Sequence, residues 1–466
     1  FLATLFSVEG QFITEVIEFK PAPGQFINKT PWGTPASKES LIGGIHGSMS
    51  LGAFGGYVVF RFEGPIQNHP DNPYGIDFTI FGNPLAVGGH VSWAEPGSVW
   101  VMKDVNGNGL PDDIWYELAG SDYWFSSTIK NYEVTYFNPG GTVAADVPWI
   151  DNQGNSSFVL ANAFHNQPYY PQNDVFENVN SESYSLTGTL IEGALDMRNA
   201  GNIVSFARGF GYVDNHLRGN APWTIPNNPY TTQTEGSGGD AFDISWAVDA
   251  EGNYVDIDEI HFVKVIGAMQ RNAGWLGEVS TEITGAVVVE PNHNITGVLD
   301  MIVIKELPYT IETPTLQLEA FAFHKGRLQN DWIINWSSNT PAVWVDENHV
   351  LHISEFTGDL VLTASLDHNP EITATVSSDV YITTSIGDLE HKPEVSVYPN
   401  PVRNSFFIQG LNNSNVSIIN ATGSQLMEIP NYTSSQPIDV TNLHQGVYLI
   451  VIEAESFRKI IKIIKQ

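Results

Sequence analysis

The chain has 466 residues, of which 42% are hydrophobic, 12% aromatic and 15% charged. That length suits about three domains, with enough apolar material for real cores and too little charge for a disordered chain. There is no cysteine, which excludes disulfides, zinc–thiolate sites, cysteine nucleophiles and cysteine-linked lipids within these residues. The formal net charge of −32, from 52 acidic and 20 basic residues, repels nucleic acid and anionic membrane and attracts cations. Most of the excess reads as a solvated acidic surface. No uncharged apolar run reaches the ~18 residues of a membrane span.

In chain order, residues 1–9 (FLATLFSVE) read as the remnant of a secretory signal, with a first strand as the other reading. Residues 10–295 are rich in Gly, Asn, Asp and aromatics, and their apolar runs are short. YVVFRF (57–62), DFTIF (77–81), SVWVMKDV (98–105), IWYELA (114–119) and YEVTYF (132–137) are β-branched and aromatic runs bounded by turn residues. IVSFA (203–207), FDISWAV (242–248) and IHFVKVI (260–266) continue the pattern. The expectation is an all-β chain whose front segment is one large β-sandwich or jelly roll of eight to twelve strands. Residues 296–382 form a second run of short Thr/Val/Leu-rich strands, 383–394 (TTSIGDLEHKPE) a linker, and 395–466 a final small sandwich. From 383 onward there are six basic and seven acidic residues, so the acidity belongs to the front of the protein.

The sharpest local motif is KDVNGNGLPDD (103–113). Asp104, Asn106, Asn108 and Asp112 put oxygen side chains on alternate positions, Gly109 allows a sharp turn, and the Leu110 carbonyl is available between them. That is the front of a calcium loop, since hard cations take several oxygen ligands. Position 12 is Trp115 rather than Glu and Pro111 blocks a helix, so no EF-hand forms; Asp113 or Glu117 is left to complete the set. A structural calcium ion is expected, with a metal-free Asn-Gly hairpin as the competing reading. A second acidic stretch, from Asp240 and Asp243 to Asp258, suits a turn-rich sandwich edge with Asp243 pointing inward.

Aromatic and histidine side chains in loops suggest a binding face for a small-molecule or glycan ligand: Trp115, Tyr123, Trp124, His165, Tyr169, Tyr170, His216 and Trp223. Packing is the ordinary alternative for loop aromatics. No G-x-S-x-G, H-E-x-x-H or phosphate-loop motif occurs, and 13 scattered His define no catalytic pair. A glycan-active hydrolase with two paired acids is the second reading, and a structural surface-layer or adhesion protein the third.

Three resemblances add to this. WIINWSSNTPAVWVDENHVLHISEFTGDLVLTASL resembles bacterial Ig-like domains of group 2 through Trp336-Ser337-Ser338, Pro341-Ala342-Val343 and Thr357-Gly358, which implies a spacer. The tail resembles the type A sorting domain of the type IX secretion system. Tyr398-Pro399-Asn400-Pro401 comes first, then a hairpin carrying Gly423, then L-x-x-G-x-Y with Gly446 and Tyr448, and a basic last strand with Lys459, Lys462 and Lys465. This implies handling by the secretion machinery and its sorting enzyme, removal of the domain, and attachment to surface lipopolysaccharide or release. The four cations of that strand, Arg458 included, are expected to have no acid near them and to give the acidic protein a distinct terminal face. Finally, SLGAFGGYVVFRF, WAEPGSVWVMKDVNGNGLPDDIWYELAGSDY, FGYVDNH and GWLGEVSTEITG resemble cell-surface proteins of Bacteroidetes, some associated with uptake systems for nutrients such as cobalamin. Gly82-Asn83 stands where broader relatives carry Glu-Asn.

Overall fold

The computed structural model describes residues 11–87, 90–220, 222–231, 236–382, 395–411, 413–420, 425–434, 436–454 and 458–466. The signal-remnant segment, the linker 383–394 and the hairpin residue Gly423 lie outside the described residues. The fold is all-β, and helix is confined among the described residues to short 3-10 turns such as Pro35–Leu41 and Ile244–Trp246. The chain forms two compact units, Phe1–Thr383 and Thr384–Gln466.

The first unit is built on a six-stranded antiparallel sheet in the order Glu15–Lys20, Tyr57–Arg61, Phe262–Gly267, Gly97–Met102, Trp115–Leu118, Ala247–Val248. A four-stranded sheet runs Ser156–Val159, Val147–Asp151, Ile129–Phe137, Ser183–Leu190, and a three-stranded one Asp240–Phe242, Phe78–Phe81, Gly285–Val288. Alternation explains the second sheet: Tyr132, Val134 and Tyr136 point inward between exposed or half-exposed neighbours. Phe78–Phe81 is buried at every position, as a strand covered on both faces must be. The inward side chains of all three sheets, among them Val58, Phe60, Val99, Val101, Tyr132, Tyr136, Leu186, Phe78 and Phe242, form one core. Fully burying a side chain of this size contributes about 1.5–3 kcal/mol.

The front segment holds more and shorter strands than the runs suggest, 21 up to Val288 among the described residues. FDISWAV is not one strand. Asp243 accepts a hydrogen bond from the Ser245 amide at 2.7 Å and caps the 3-10 turn Ile244–Trp246, which breaks the run. Asp243 does point inward, 3% exposed, beside buried Asp77.

The core does not stop at residue 295. Val303 and Phe323 belong to the same cluster, and the Trp246 indole donates to the Lys325 carbonyl at 2.8 Å. Further on, Ile334–Ser338, Phe356–Leu366 and Thr373–Ile382 pair in one sheet, and Thr315–Gln317, Val350–Ile353 and Val343–Val345 in another. Leu351, Leu360, Leu362 and Val380 are buried in a core of their own.

The second unit pairs Gln425–Tyr432, Ser414–Asn420, Gly446–Glu453 and Arg458–Lys465 in one sheet, and Ser396–Tyr398, Ser405–Gln409 and Ile438–Asp439 in another. Phe406, Ile408, Val416, Ile418, Ile450, Ile452 and Ile463 fill its centre.

Candidate functional site

The loop between Gly97–Met102 and Trp115–Leu118 joins neighbouring antiparallel strands, with Met102 opposite Trp115. Asp104 is its hub: one carboxylate oxygen accepts from the amides of Gly107 (2.7 Å) and Asn108 (3.2 Å), the other from Gly109 (2.8 Å). Asn106 and Asn108 accept from the amides two residues on, at 3.0 and 2.8 Å, and Asp113 accepts from Val105 (2.9 Å) and Asn106 (3.3 Å). The side-chain amides of Asn108 and Asn106 donate to Asp112 and hold its carboxyl below the usual range. Gly107 and Gly109 take φ of 70° and 73°, which a side chain disfavours. The local sequence thus builds a chain of Asx turns, in which the side-chain oxygens of Asp104, Asn106, Asn108 and Asp113 accept from amides of the same loop. Leu110 is exposed. Glu117 does not join them: it lies opposite Trp100 on the sheet face away from Val99, Val101 and Leu118, buried, and the Thr189 hydroxyl donates to it at 2.5 Å.

The eight aromatic and histidine positions do not form one face. Tyr123, Tyr169 and Tyr170 are 4%, 1% and 1% exposed, so their rings are packed rather than offered to a ligand. Tyr123 contacts Trp124 at 4.9 Å between ring centres and carries the Lys130 ammonium 3.7 Å from its own. Tyr170 donates to the Asn180 carbonyl at 2.6 Å. Trp115 lies under Lys264 (4.1 Å), Trp223 packs on Phe81, and His165 sits edge-on to Phe26. His216 pairs with buried Asp240, Nδ1 to Oδ1 at 3.1 Å. A separate cleft of about 560 Å³ is lined by His69, Asp243, Tyr254, His324, Lys325 and Arg327, and by none of the eight.

The structure gathers a group that sequence reasoning missed. Glu95, Asp214 and Glu282 bring one carboxylate oxygen each to within 4.8 Å of one another. Glu95 precedes the strand Gly97–Met102, Asp214 sits in a turn at φ 61°, and Glu282 opens a two-residue strand that pairs with Met49–Ser50. The backbone aims each of them. Asp214 accepts from the amides of Asn83 (2.7 Å) and Glu282 (2.9 Å), and Glu95 accepts from Ser280 (2.9 Å) and from the Trp93 indole. Glu282 is hydrogen-bonded to the hydroxyls of Ser50 and Ser280 and to the carboxyl of Glu95, and no N–H or hydroxyl donates to its buried Oε1. A Cβ at Gly82 would stand 2.2 Å from Asp214 Oδ1, so the backbone there closes directly on the carboxylate. Among the described residues no Lys, Arg or His pairs with any of the three. Burial, and next to it Asp214, pushes the Glu95 carboxyl up to about 8. Burial and the neighbouring acids likewise raise Asp214 and Glu282. In sequence each of the three acids lies in a string that carries the family resemblance, WAEPG, YVDNH and STEIT, but nothing in the spacing brings them together.

In the second unit the Tyr398-Pro399-Asn400-Pro401 motif is docked on the last strand. Asn400 accepts from the Ile464 amide (3.0 Å) and donates to the Lys462 carbonyl (2.9 Å), and Tyr398 stacks on Phe407. The Tyr448 hydroxyl donates to the His444 carbonyl at 2.8 Å, just before the strand that opens at Gly446. Lys459 donates to the Val395 carbonyl (3.0 Å) and Lys465 to Gln466 (2.7 Å). The basic strand is not free of acid, since Glu453 stands in register opposite Arg458.

Residues 396–466 match the family described as the secretion system C-terminal sorting domain. The chain therefore carries a sorting domain of the type IX secretion system, which implies handling by that machinery, export, and a place at the cell surface or outside the cell. No helix among the described residues is long and apolar enough to cross a membrane. The chain matches no curated protein. Among solved structures it is similar to extracellular domains 3–5 of Drosophila OTK, at 11% identity and TM-score 0.20 over 43% of this chain and 81% of that one. The Escherichia coli adhesin FdeC gives 10% identity and TM-score 0.17, over 47% and 80%. Dimeric latent PorU from Porphyromonas gingivalis gives 14% and 0.14, over 74% and 30%. Likenesses this slight say nothing of function.

Proposed function

We propose that this is a non-catalytic protein of the bacterial surface, exported through its C-terminal domain, whose front sandwich holds a nutrient-type ligand or a surface partner. The observation that carries the reading is the sorting domain at 396–466. The front segment's resemblance to Bacteroidetes surface proteins supports it, with the 296–382 segment as an Ig-like spacer. The sorting enzyme and surface lipopolysaccharide are the partners this reading entails. The cleft lined by His69, Asp243, Tyr254, His324, Lys325 and Arg327 offers the ligand two cations, Lys325 and Arg327, beside Asp243. In a bacterium with type IX machinery, the full chain is expected on the surface and a chain ending at residue 382 inside the outer membrane. Protease accessibility on intact cells reads this directly, and equal surface exposure of both chains would sink the proposal.

Calcium at the loop of Asp104, Asn106, Asn108, Leu110, Asp112 and Asp113 is the second element of the reading. What supports it is the spacing of oxygen side chains along one short exposed loop, with affinity of roughly 10⁻⁴ to 10⁻³ M as in other extracellular modules. The expected result is that Asp104→Ala removes part of the rise in melting temperature caused by millimolar calcium over EDTA. An unchanged calcium response in that variant would leave the loop a polar hairpin.

A further inference from the structure

Glu95, Asp214 and Glu282 pose an electrostatic problem that their surroundings do not solve. Asp214 is fully buried and Glu282 is 6% exposed, and isolated charges in such places cost several kcal/mol each unless a counter-charge is present. Amides of Asn83, Glu282 and Ser280 neutralise part of this but cannot supply a positive charge. The orphaned Oε1 of Glu282 is a second and separate indication, because a native interior seldom leaves a carboxylate oxygen unmatched. A proton shared in the Glu95–Glu282 hydrogen bond couples two of the acids and leaves out Asp214. A cation could couple all three. Oxygens about 2.4 Å from one ion lie at most about 4.8 Å apart, and these oxygens fall within 4.8 Å.

We propose that Glu95, Asp214 and Glu282 form a binding site for a hard divalent cation of calcium's size, separate from the loop at Asp104. The donor set selects the metal class: three carboxylates with no His among them and no Cys in the chain disfavour zinc and copper. Glu95, only partly buried, supplies the entry side. The hydroxyls of Ser50 and Ser280 and the indole of Trp93 fix the ligands from behind. The ion would cross-link three chain segments, those of Glu95, Asp214 and Glu282, and so act on stability rather than on chemistry.

The test uses the full chain carrying Asp104→Ala, so that the hairpin loop is out of play. Calcium alone is expected to raise its melting temperature by roughly 3 °C over EDTA. Terbium, as a calcium substitute, is expected to luminesce on excitation of tryptophan, with Trp93 beside the ion. Adding Glu282→Gln should abolish both signals while raising the melting temperature in EDTA, because glutamine places no ionisable carboxyl beside the other two buried acids. That opposite pair of effects is one a merely structural glutamate would not give. Glu95→Gln, at the more exposed rim, repeats the test should the first variant fold poorly. Trp93→Phe should dim terbium emission yet keep the calcium shift. No calcium shift in the Asp104→Ala chain, or a full shift surviving both glutamine variants, would overturn the site. Either result leaves the sorting and ligand readings untouched.

Discussion

Arg208→Met is expected to destabilise the first unit by about 3–5 kcal/mol, the cost of stranding a buried charge. Arg208 is 4% exposed and its guanidinium bridges two acids. Nε meets Asp122 at 2.5 Å, while Nη1 and Nη2 meet Glu306 at 2.5 and 3.1 Å. Glu306 is half-exposed and can turn to water, but Asp122, 3% exposed, cannot. Burial already drives the Asp122 carboxyl up, against the pull of Arg208. The pair also joins the front segment to the segment that follows residue 295. A urea denaturation midpoint measures the loss. Asp122→Asn added to Arg208→Met should recover a good part of it, because the stranded charge is then gone. A double variant no more stable than the single one would place the damage in lost packing instead.

Glu117→Gln is expected to stabilise the protein at alkaline pH and not at acid pH. Glu117 is 6% exposed, stands opposite Trp100 in the six-stranded sheet, and accepts from the Thr189 hydroxyl. Burial pushes its carboxyl up to about 7, with the Thr189 bond and Lys130 pulling the other way. A carboxyl raised on folding binds its proton more tightly in the native state. Its stabilising contribution is therefore full below the ordinary value of 4.5 and fades as pH rises through about 7. Between pH 5 and 8 the stability difference, glutamine variant minus parent, should grow by roughly 2–3 kcal/mol. Melting temperatures of both proteins across that range decide it, and parallel pH profiles would mean Glu117 titrates as an ordinary surface acid.

Much of the architecture was legible because it is written locally. Apolar runs such as YEVTYF became strands, with Tyr132, Val134 and Tyr136 buried in alternation, and the Asp104–Asp113 segment became a turn-rich hairpin. The break in FDISWAV was not legible, since the Asp243 cap on Ser245 is joined by Asp77, far away in the chain, which accepts from the Ile244 amide. The aromatic reading failed in part for the same reason. Tyr123, Tyr169 and Tyr170 lie in loops, yet those loops fold over the sandwich and bury them, and whether a loop ring faces water or core is not encoded next to it.

The sequence by itself determined that this is an all-β chain ending in a secretion sorting domain. Strand periodicity, turn residues and the Tyr398-Pro399-Asn400-Pro401 address are short-range patterns, each readable within a few residues. Only the tertiary structure decided that Glu95, Asp214 and Glu282 meet, that Asn400 locks onto the last strand, and that Arg208 bridges Asp122 to Glu306. The physical reason is common to all three. Burying a charge or an amide is costly anywhere, so its partners are fixed by whichever distant segments the folded core brings beside it.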